Sequence, residues 1–163
     1  MRTYTASSAV AALAIAAALA VGAVGSVLAT AGHDGHIAIQ PDAIEWRDGP
    51  GSLPPGASFA ILTGDPSKAE PVTLRLRFPA GYVVPPHTHP ATEHITVLEG
   101  RFNVAPGESL DKSQGMSFSP GGFVVMPIGV PHYAWVDEDT VVQLHSNGPW
   151  GIEYVNPADD PRS

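Results

Sequence analysis

The chain has no cysteine among its 163 residues. This absence excludes disulfide bonds, a thiolate metal site and a cysteine nucleophile. Basic residues are also scarce: 8 Lys and Arg stand against 16 Asp and Glu, and the formal net charge is −8. Because no run of Lys or Arg could follow a phosphate backbone, nucleic acid is not expected as a partner. Metal ligands in this chain are limited to imidazole and carboxylate groups.

Motifs of several other catalytic classes are missing. The sequence contains no G-x-S-x-G nucleophile elbow, no P-loop and no G-x-G-x-x-G dinucleotide motif. Beyond the apolar amino-terminal segment, no window has a sustained period of 3.6 residues. The 17 glycines and 17 prolines divide the chain into pieces too short for long helices.

Short segments of alternating apolar and polar residues lie between these turn residues, as is typical of half-buried strands. Residues 72–78, VTLRLRF, show the alternation. We predict strands at residues 43–47, 58–63, 72–78, 82–87, 93–99, 101–105, 116–119, 123–127, 132–136, 140–145 and 151–154. Regular short strands with frequent turns predict an all-β sandwich or barrel.

The amino-terminal segment has the three parts of a secretory signal. Arg2 lies near the start, residues 9–21 form an apolar run, and small residues end in an A-x-A sequence. We expect cleavage after Ala31, so that residues 1–31 are a signal peptide and residues 32–163 form one exported domain with no membrane span. The alternative is that residues 9–29 remain as an anchor, since they approach the length of about 20 residues that a transmembrane helix needs.

Three histidines and one glutamate are the candidate metal ligands. His87 and His89 are two residues apart, so on a strand both imidazoles lie on the same face. Glu93 follows at the start of the next predicted strand, and His132 lies on a later one. Neutral imidazoles with one carboxylate suit the divalent ions Fe, Mn, Co, Ni, Cu and Zn. The pattern predicts one transition-metal ion, whose identity stays open.

These residues carry a resemblance to the cupin superfamily. The first cupin motif, G(X)5HXH(X)3,4E(X)6G, is matched by Gly81, His87, His89, Glu93 and Gly100. The second, G(X)5PXG(X)2H(X)3N, is matched by Gly121, Pro127, Gly129 and His132. Its final asparagine is replaced by Val136, a position that is not a metal ligand in the family. The two motifs cover about fifty residues, and the predicted strands on both sides extend the resemblance over nearly the whole mature domain.

The resemblance implies a fold, a metal site and an assembly. The fold would be a double-stranded β-helix, or jelly-roll, barrel that forms a single cupin domain over residues 32–163. The metal would be held by all four candidate ligands. Glu93 would also be a candidate catalytic base, because the corresponding glutamate has this role in some related cupins. A homodimer is the expected assembly.

Several further residues are candidates for the pocket. Gln143 and His145 share one face of a predicted strand. If that face points inward, they lie close to the metal; otherwise they lie on a solvated outer face. His94 directly follows a candidate ligand and should point out of the barrel. Tyr133 and Trp135 are interpreted as core or dimer-contact residues.

The sequence is compatible with two functions. The first is a metal-dependent enzyme that acts on a small organic molecule, with a dioxygenase preferred to an isomerase or hydrolase. Four protein ligands leave one or two open positions on the ion for substrate or dioxygen. The second is a non-catalytic exported barrel that binds a small molecule or the metal itself. Fold similarity does not decide between them.

Overall fold

The computed structural model describes residues 35–163. The predicted signal peptide and its cleavage site lie outside these residues. No helix within residues 35–163 is long and apolar enough to cross a membrane. Leader cleavage and export therefore stay predictions.

The described residues form an all-β domain, as predicted, in which loops and short 3-10 helical turns join the strands. The eleven strands are β1 (Arg47–Asp48), β2 (Ser58–Thr63), β3 (Pro71–Phe78), β4 (Val83–Thr88), β5 (Glu93–Glu99), β6 (Phe102–Pro106), β7 (Met116–Phe118), β8 (Phe123–Met126), β9 (His132–Trp135), β10 (Thr140–Asn147) and β11 (Glu153–Tyr154).

The strands form two antiparallel sheets that face each other. One sheet has the order β1-β2-β3-β10-β5-β8, and the other has the order β11-β4-β9-β6-β7. Side chains from both sheets meet in one core; Leu74 and Val142 from the first sheet and Val104 from the second are almost completely buried. This arrangement confirms the predicted double-stranded β-helix fold.

One predicted strand is wrong. Residues 43–47 do not form a strand; instead Pro41–Ala43 is a 3-10 helical turn, and β1 contains only Arg47 and Asp48. Pro41 is suited to the start of such a turn, because its ring fixes φ and it has no backbone N–H to leave unpaired. Each of the other predicted strands coincides with an observed strand, and their ends differ by at most two residues.

A small second core lies on the outer side of the β4–β9–β6 sheet. Tyr133 and Trp135 pack there with Ala105, and all three are buried. The loop after β6 covers them: the Tyr133 hydroxyl donates a hydrogen bond to the Asp111 carbonyl at 2.7 Å. The aromatic pair is therefore core, one of its two predicted roles.

The loop before β2, at residues 52–54, covers part of the space between the sheets. Two tyrosine hydroxyls hold it: Tyr82 donates to the Pro54 carbonyl, and Tyr154 donates to the Ser52 carbonyl at 2.8 Å. Between these anchors, Leu53 is 6% exposed and reaches the interior cavity.

Gly100 and Gly81 provide a matched test of how the turns constrain the chain. Both have a positive φ, at 70° and 82°. A Cβ on Gly100 would lie 2.3 Å from the Asp139 carbonyl oxygen, whereas a Cβ on Gly81 meets nothing within 4 Å. We expect G81A to cost about 1–2 kcal/mol of unfolding free energy for the left-handed backbone. G100A should cost about 1–3 kcal/mol more, since the clash is with backbone. Urea unfolding at constant m-value measures the free energy of unfolding of both variants. Equal losses of stability in G81A and G100A would contradict the predicted clash at Gly100.

Candidate metal centre

One strand pairing and one loop hydrogen bond bring the three histidines together. His87 on β4 and His132 on β9 are directly paired residues in the second sheet. His89 follows the end of β4, and its carbonyl accepts a hydrogen bond from the Gly129 N–H at 3.0 Å. This bond ties the loop of the second motif to the first. Glu93, at the start of β5, reaches in from the opposite sheet.

The three histidines form a compact buried group. His87, His89 and His132 each offer a ring nitrogen, and these three nitrogens lie within 4.8 Å of one another. Each residue is between 3% and 5% exposed. Because metal–imidazole bonds are about 2.0–2.1 Å long for an ion such as zinc, one ion can be contacted from all three sides.

Backbone carbonyls fix the orientation of all three rings. Nδ1 of His87 lies 2.6 Å from the Pro85 carbonyl and Nδ1 of His132 lies 3.0 Å from the Val130 carbonyl, both two residues back along the chain. Nδ1 of His89 lies 2.6 Å from the carbonyl of Gly151. A carbonyl only accepts, so each Nδ1 carries the proton and donates it. The Nε2 lone pairs are then available to a metal, which is the usual way in which a protein prepares histidine ligands.

Burial keeps these imidazoles neutral. It lowers the pKa of His87 to about 2, with smaller contributions from His132 and His89. Burial also lowers the pKa of His89 and of His132. Only a neutral imidazole coordinates a metal ion, so the pKa directions agree with the donor role.

Glu93 lies beside this group and is bonded at both oxygens. Its Oε2 is 3.2 Å from Nε2 of His89, and its Oε1 accepts a hydrogen bond from the indole N–H of Trp150. Burial raises the pKa of Glu93 to about 7. With His89 neutral and protonated at Nδ1, a proton on Oε2 can be donated to Nε2 across this contact. A protonated Glu93 and a neutral His89 would form a neutral hydrogen-bonded pair rather than an ion pair.

The four residues line a small, largely apolar cavity between the sheets. Its volume is about 40 Å³. Apolar side chains make up most of the remaining lining, among them Leu53, Phe78, Val142, Leu144 and Ile152. A water needs roughly 10–15 Å³ of such volume, so there is room for an ion and a few waters.

Gln143 and His145 do not line this cavity. On β10 the inward positions are those of the buried Val142 and Leu144, and the polar pair lies on the outer face of the sheet. There, His145 Nδ1 is 3.1 Å from the hydroxyl oxygen of Thr73, and Arg75 donates to the Gln143 side-chain carbonyl. The outer-face alternative is the one observed, and neither residue lines the cavity at the three histidines.

Residues with outward positions include His94, as predicted. It pairs with His145 across β5 and β10 and lines an outer surface groove.

Trp150 is a site residue that sequence reasoning missed. It follows β10 in an irregular loop, and its ring stacks on His89 with centroids 6.0 Å apart and an interplanar angle of 15°. The only local signal was an aromatic residue in a glycine- and proline-containing loop.

The two facing sheets and the three convergent histidines define a cupin. A family profile for the ChrR cupin-like domain matches residues 34–151. The chain therefore belongs to the ChrR cupin-like family. A search of curated proteins finds no match.

Solved structures share the fold at low sequence identity. KdgF from Halomonas sp. is 24% identical, with a TM-score of 0.53, covering 68% of this chain and 94% of KdgF. The polyketide cyclase RemF from Streptomyces resistomycificus is 20% identical, with a TM-score of 0.54, covering 64% and 75%. The DMSP lyase DddQ from Ruegeria pomeroyi is 21% identical, with a TM-score of 0.52, covering 66% and 58%. At these identities the similarity extends to the fold alone.

Proposed function

We propose that this protein binds one divalent transition-metal ion through Nε2 of His87, His89 and His132, with Glu93 as a fourth ligand. The observation that carries the proposal is that a backbone carbonyl lies at hydrogen-bond distance from each of the three Nδ1 atoms, which leaves Nε2 of each ring to bind an ion in the cavity. The candidates are Fe, Mn, Co, Ni, Cu and Zn, because imidazole and carboxylate donors suit all of them.

We further propose that the protein is an enzyme that acts on a small organic molecule. The ion would polarise a substrate oxygen, as a Lewis acid does. Glu93 would also act as the base, because its carboxyl group lines the cavity beside the three histidines. The similarity to a polyketide cyclase and a DMSP lyase supports non-redox chemistry on this fold. A dioxygenase is the more specific alternative.

A second candidate is a barrel that binds a metal or a small molecule without turnover. The size of the cavity favours it, since about 40 Å³ leaves no room for an organic substrate beside an ion. This function needs the same ligands but no base. The two candidates therefore make the same prediction for metal content and different predictions for reaction with a substrate.

Metal content and oxygen uptake distinguish these functions. Protein purified without added metal and analysed by elemental analysis should contain close to one equivalent of a transition metal. Oxygen consumption by the iron, manganese and copper forms is then followed across a panel of small enols, phenols and hydroxy acids, with the metal-free protein as control. Substrate-dependent uptake supports the dioxygenase. Substrate loss without oxygen uptake supports the non-redox enzyme. The absence of both oxygen uptake and substrate loss supports the binding barrel.

Location and assembly complete the proposal. From the predicted leader at residues 1–31, we propose that the protein is exported to the periplasm or the extracellular space. Homodimer formation follows from the cupin resemblance. Exposed apolar side chains on the edge strands β7 and β8 are compatible with it, namely Met116, Phe123 and Val125.

A further inference from the structure

The cavity at the histidines is too small for the proposed substrate. Its volume is about 40 Å³, whereas pockets for small organic ligands usually measure about 300–1,000 Å³. If an organic molecule reaches the ligands of the metal, a wall of this cavity must move or the cavity must join another one.

A larger groove lies on the other side of Trp150 from this cavity. Its volume is about 370 Å³, which is within the usual range for a small ligand. Its walls are mostly apolar and include Phe59, Ile61 and Leu74, with Ser52 and Ser67 among the polar ones. Among the described residues that line the inner cavity or this groove, Trp150 alone lines both.

The Trp150 side chain is held by contacts that a ligand could replace. Its indole N–H donates to Glu93, and its ring stacks on His89. Its backbone is fixed separately, because the Trp150 N–H donates to the Pro66 carbonyl at 2.8 Å. Rotation of the side chain would break the bond to Glu93 and leave this backbone bond in place.

We propose that Trp150 is a specificity-determining residue, a movable wall between the inner cavity and the outer groove. This inference rests on the proposed function and adds a substrate class to it. The ligand would place an oxygen donor beside the histidines and an apolar or aromatic body in the groove. The body of the ligand would pass through the position that the indole ring occupies when no ligand is bound. Displacement of Trp150 would also free Glu93 from its indole partner, so that ligand entry releases the proposed base.

A second opening provides a matched control. A groove of about 110 Å³ between the edges of the two sheets shares Met126 and His132 with the inner cavity. This volume is below the usual range for an organic ligand. Replacement of Met126 therefore enlarges the inner cavity on the side where we do not expect the ligand.

The test compares two anions that differ in size. Azide and benzoate are titrated into the cobalt(II)-loaded wild type and the W150A, W150F and M126A variants, and binding is followed by the cobalt absorption bands. W150A should bind benzoate at least ten-fold more tightly than the wild type, with azide affinity changed less than three-fold. W150F, which removes the N–H and part of the ring, should shift benzoate in the same direction by about three-fold. M126A should leave the ratio of the two affinities near that of the wild type.

The outcomes separate this inference from the proposed function. The role of Trp150 would be refuted if both Trp150 variants bind one equivalent of cobalt but keep the wild-type ratio of benzoate to azide affinity. It would also be refuted if M126A gains more benzoate affinity than the Trp150 variants. Failure of the wild type to bind cobalt would overturn the proposed metal site itself. If W150A does not fold, W150F and M126A still decide the result.

Discussion

The double substitution H87A/H132A should reduce the metal content from about one equivalent to less than about 0.1. His87 and His132 are paired across β4 and β9, with ring centroids 4.3 Å apart, so the change removes two adjacent donors at once. Loss of even a single outer hydrogen-bond partner of a metal ligand typically costs 10–100-fold in affinity, and loss of two direct ligands should cost more. Elemental analysis of the purified protein measures the effect.

A matched control is available on the outer face of the other sheet. His94 and His145 are also directly paired, across β5 and β10, but they face outward. H94A/H145A therefore removes the same number of imidazoles without touching the cavity, and it should retain one equivalent of metal. Both variants must show the circular dichroism of the wild type, since the buried histidines also fill core volume. Unchanged metal in folded H87A/H132A would refute the site.

The cluster of candidate metal ligands was predictable because most of the information is local. The two-residue spacing of His87 and His89 places both imidazoles on one side of an extended chain, and Glu93 begins the next strand. Turn residues between alternating segments likewise predict most strands, because alternation reflects the burial of one face. Pairing with His132 was the one long-range step, and it depended on the cupin resemblance rather than on any period in the sequence.

Features that depend on long-range register were not predictable in the same way. The face of β10 that points inward is set by its pairing with β3 and β5. The two-residue spacing of Gln143 and His145 shows that they share a face of the strand, but it does not show whether that face points inward or outward. The apolar character of Val142 and Leu144 was the available signal. Trp150 reaches the site because Gly148 and Trp150 donate backbone hydrogen bonds to the distant loop before β3. No local pattern encodes those contacts.

The proposed function involves two protonation states of Glu93. Without metal, burial favours the protonated carboxyl group, which can donate to His89 and accept from Trp150. With metal, the same proton must leave, since both Glu93 and His89 would then be donors to the ion. Metal binding below about pH 7 should therefore release a proton from this pair, in line with the general coupling of metal binding to deprotonation.

E93Q should stabilise the metal-free protein at alkaline pH. Glutamine reproduces the protonated acid: its amide N–H can donate to His89, and its oxygen can accept from Trp150. The folded-state pKa of Glu93, about 7, lies above the ordinary value of 4.5. A raised pKa contributes stability that is fully present below the unfolded-state value and is lost as the pH rises to the folded-state value. The window of loss is therefore pH 4.5 to about 7.

The wild type should lose about 2 kcal/mol relative to E93Q between about pH 5.5 and pH 8.5, at 1.36 kcal/mol per pKa unit. Chelator-treated proteins are compared by urea unfolding at each pH, and the three histidines cancel because both proteins contain them. E99Q is the control, since Glu99 lies at the exposed far end of the same strand, and it should follow the wild type throughout. A constant difference between E93Q and the wild type across this range would mean that Glu93 is already ionised in the metal-free protein. The neutral pair with His89 would then be wrong, and metal binding would no longer require Glu93 to release a proton.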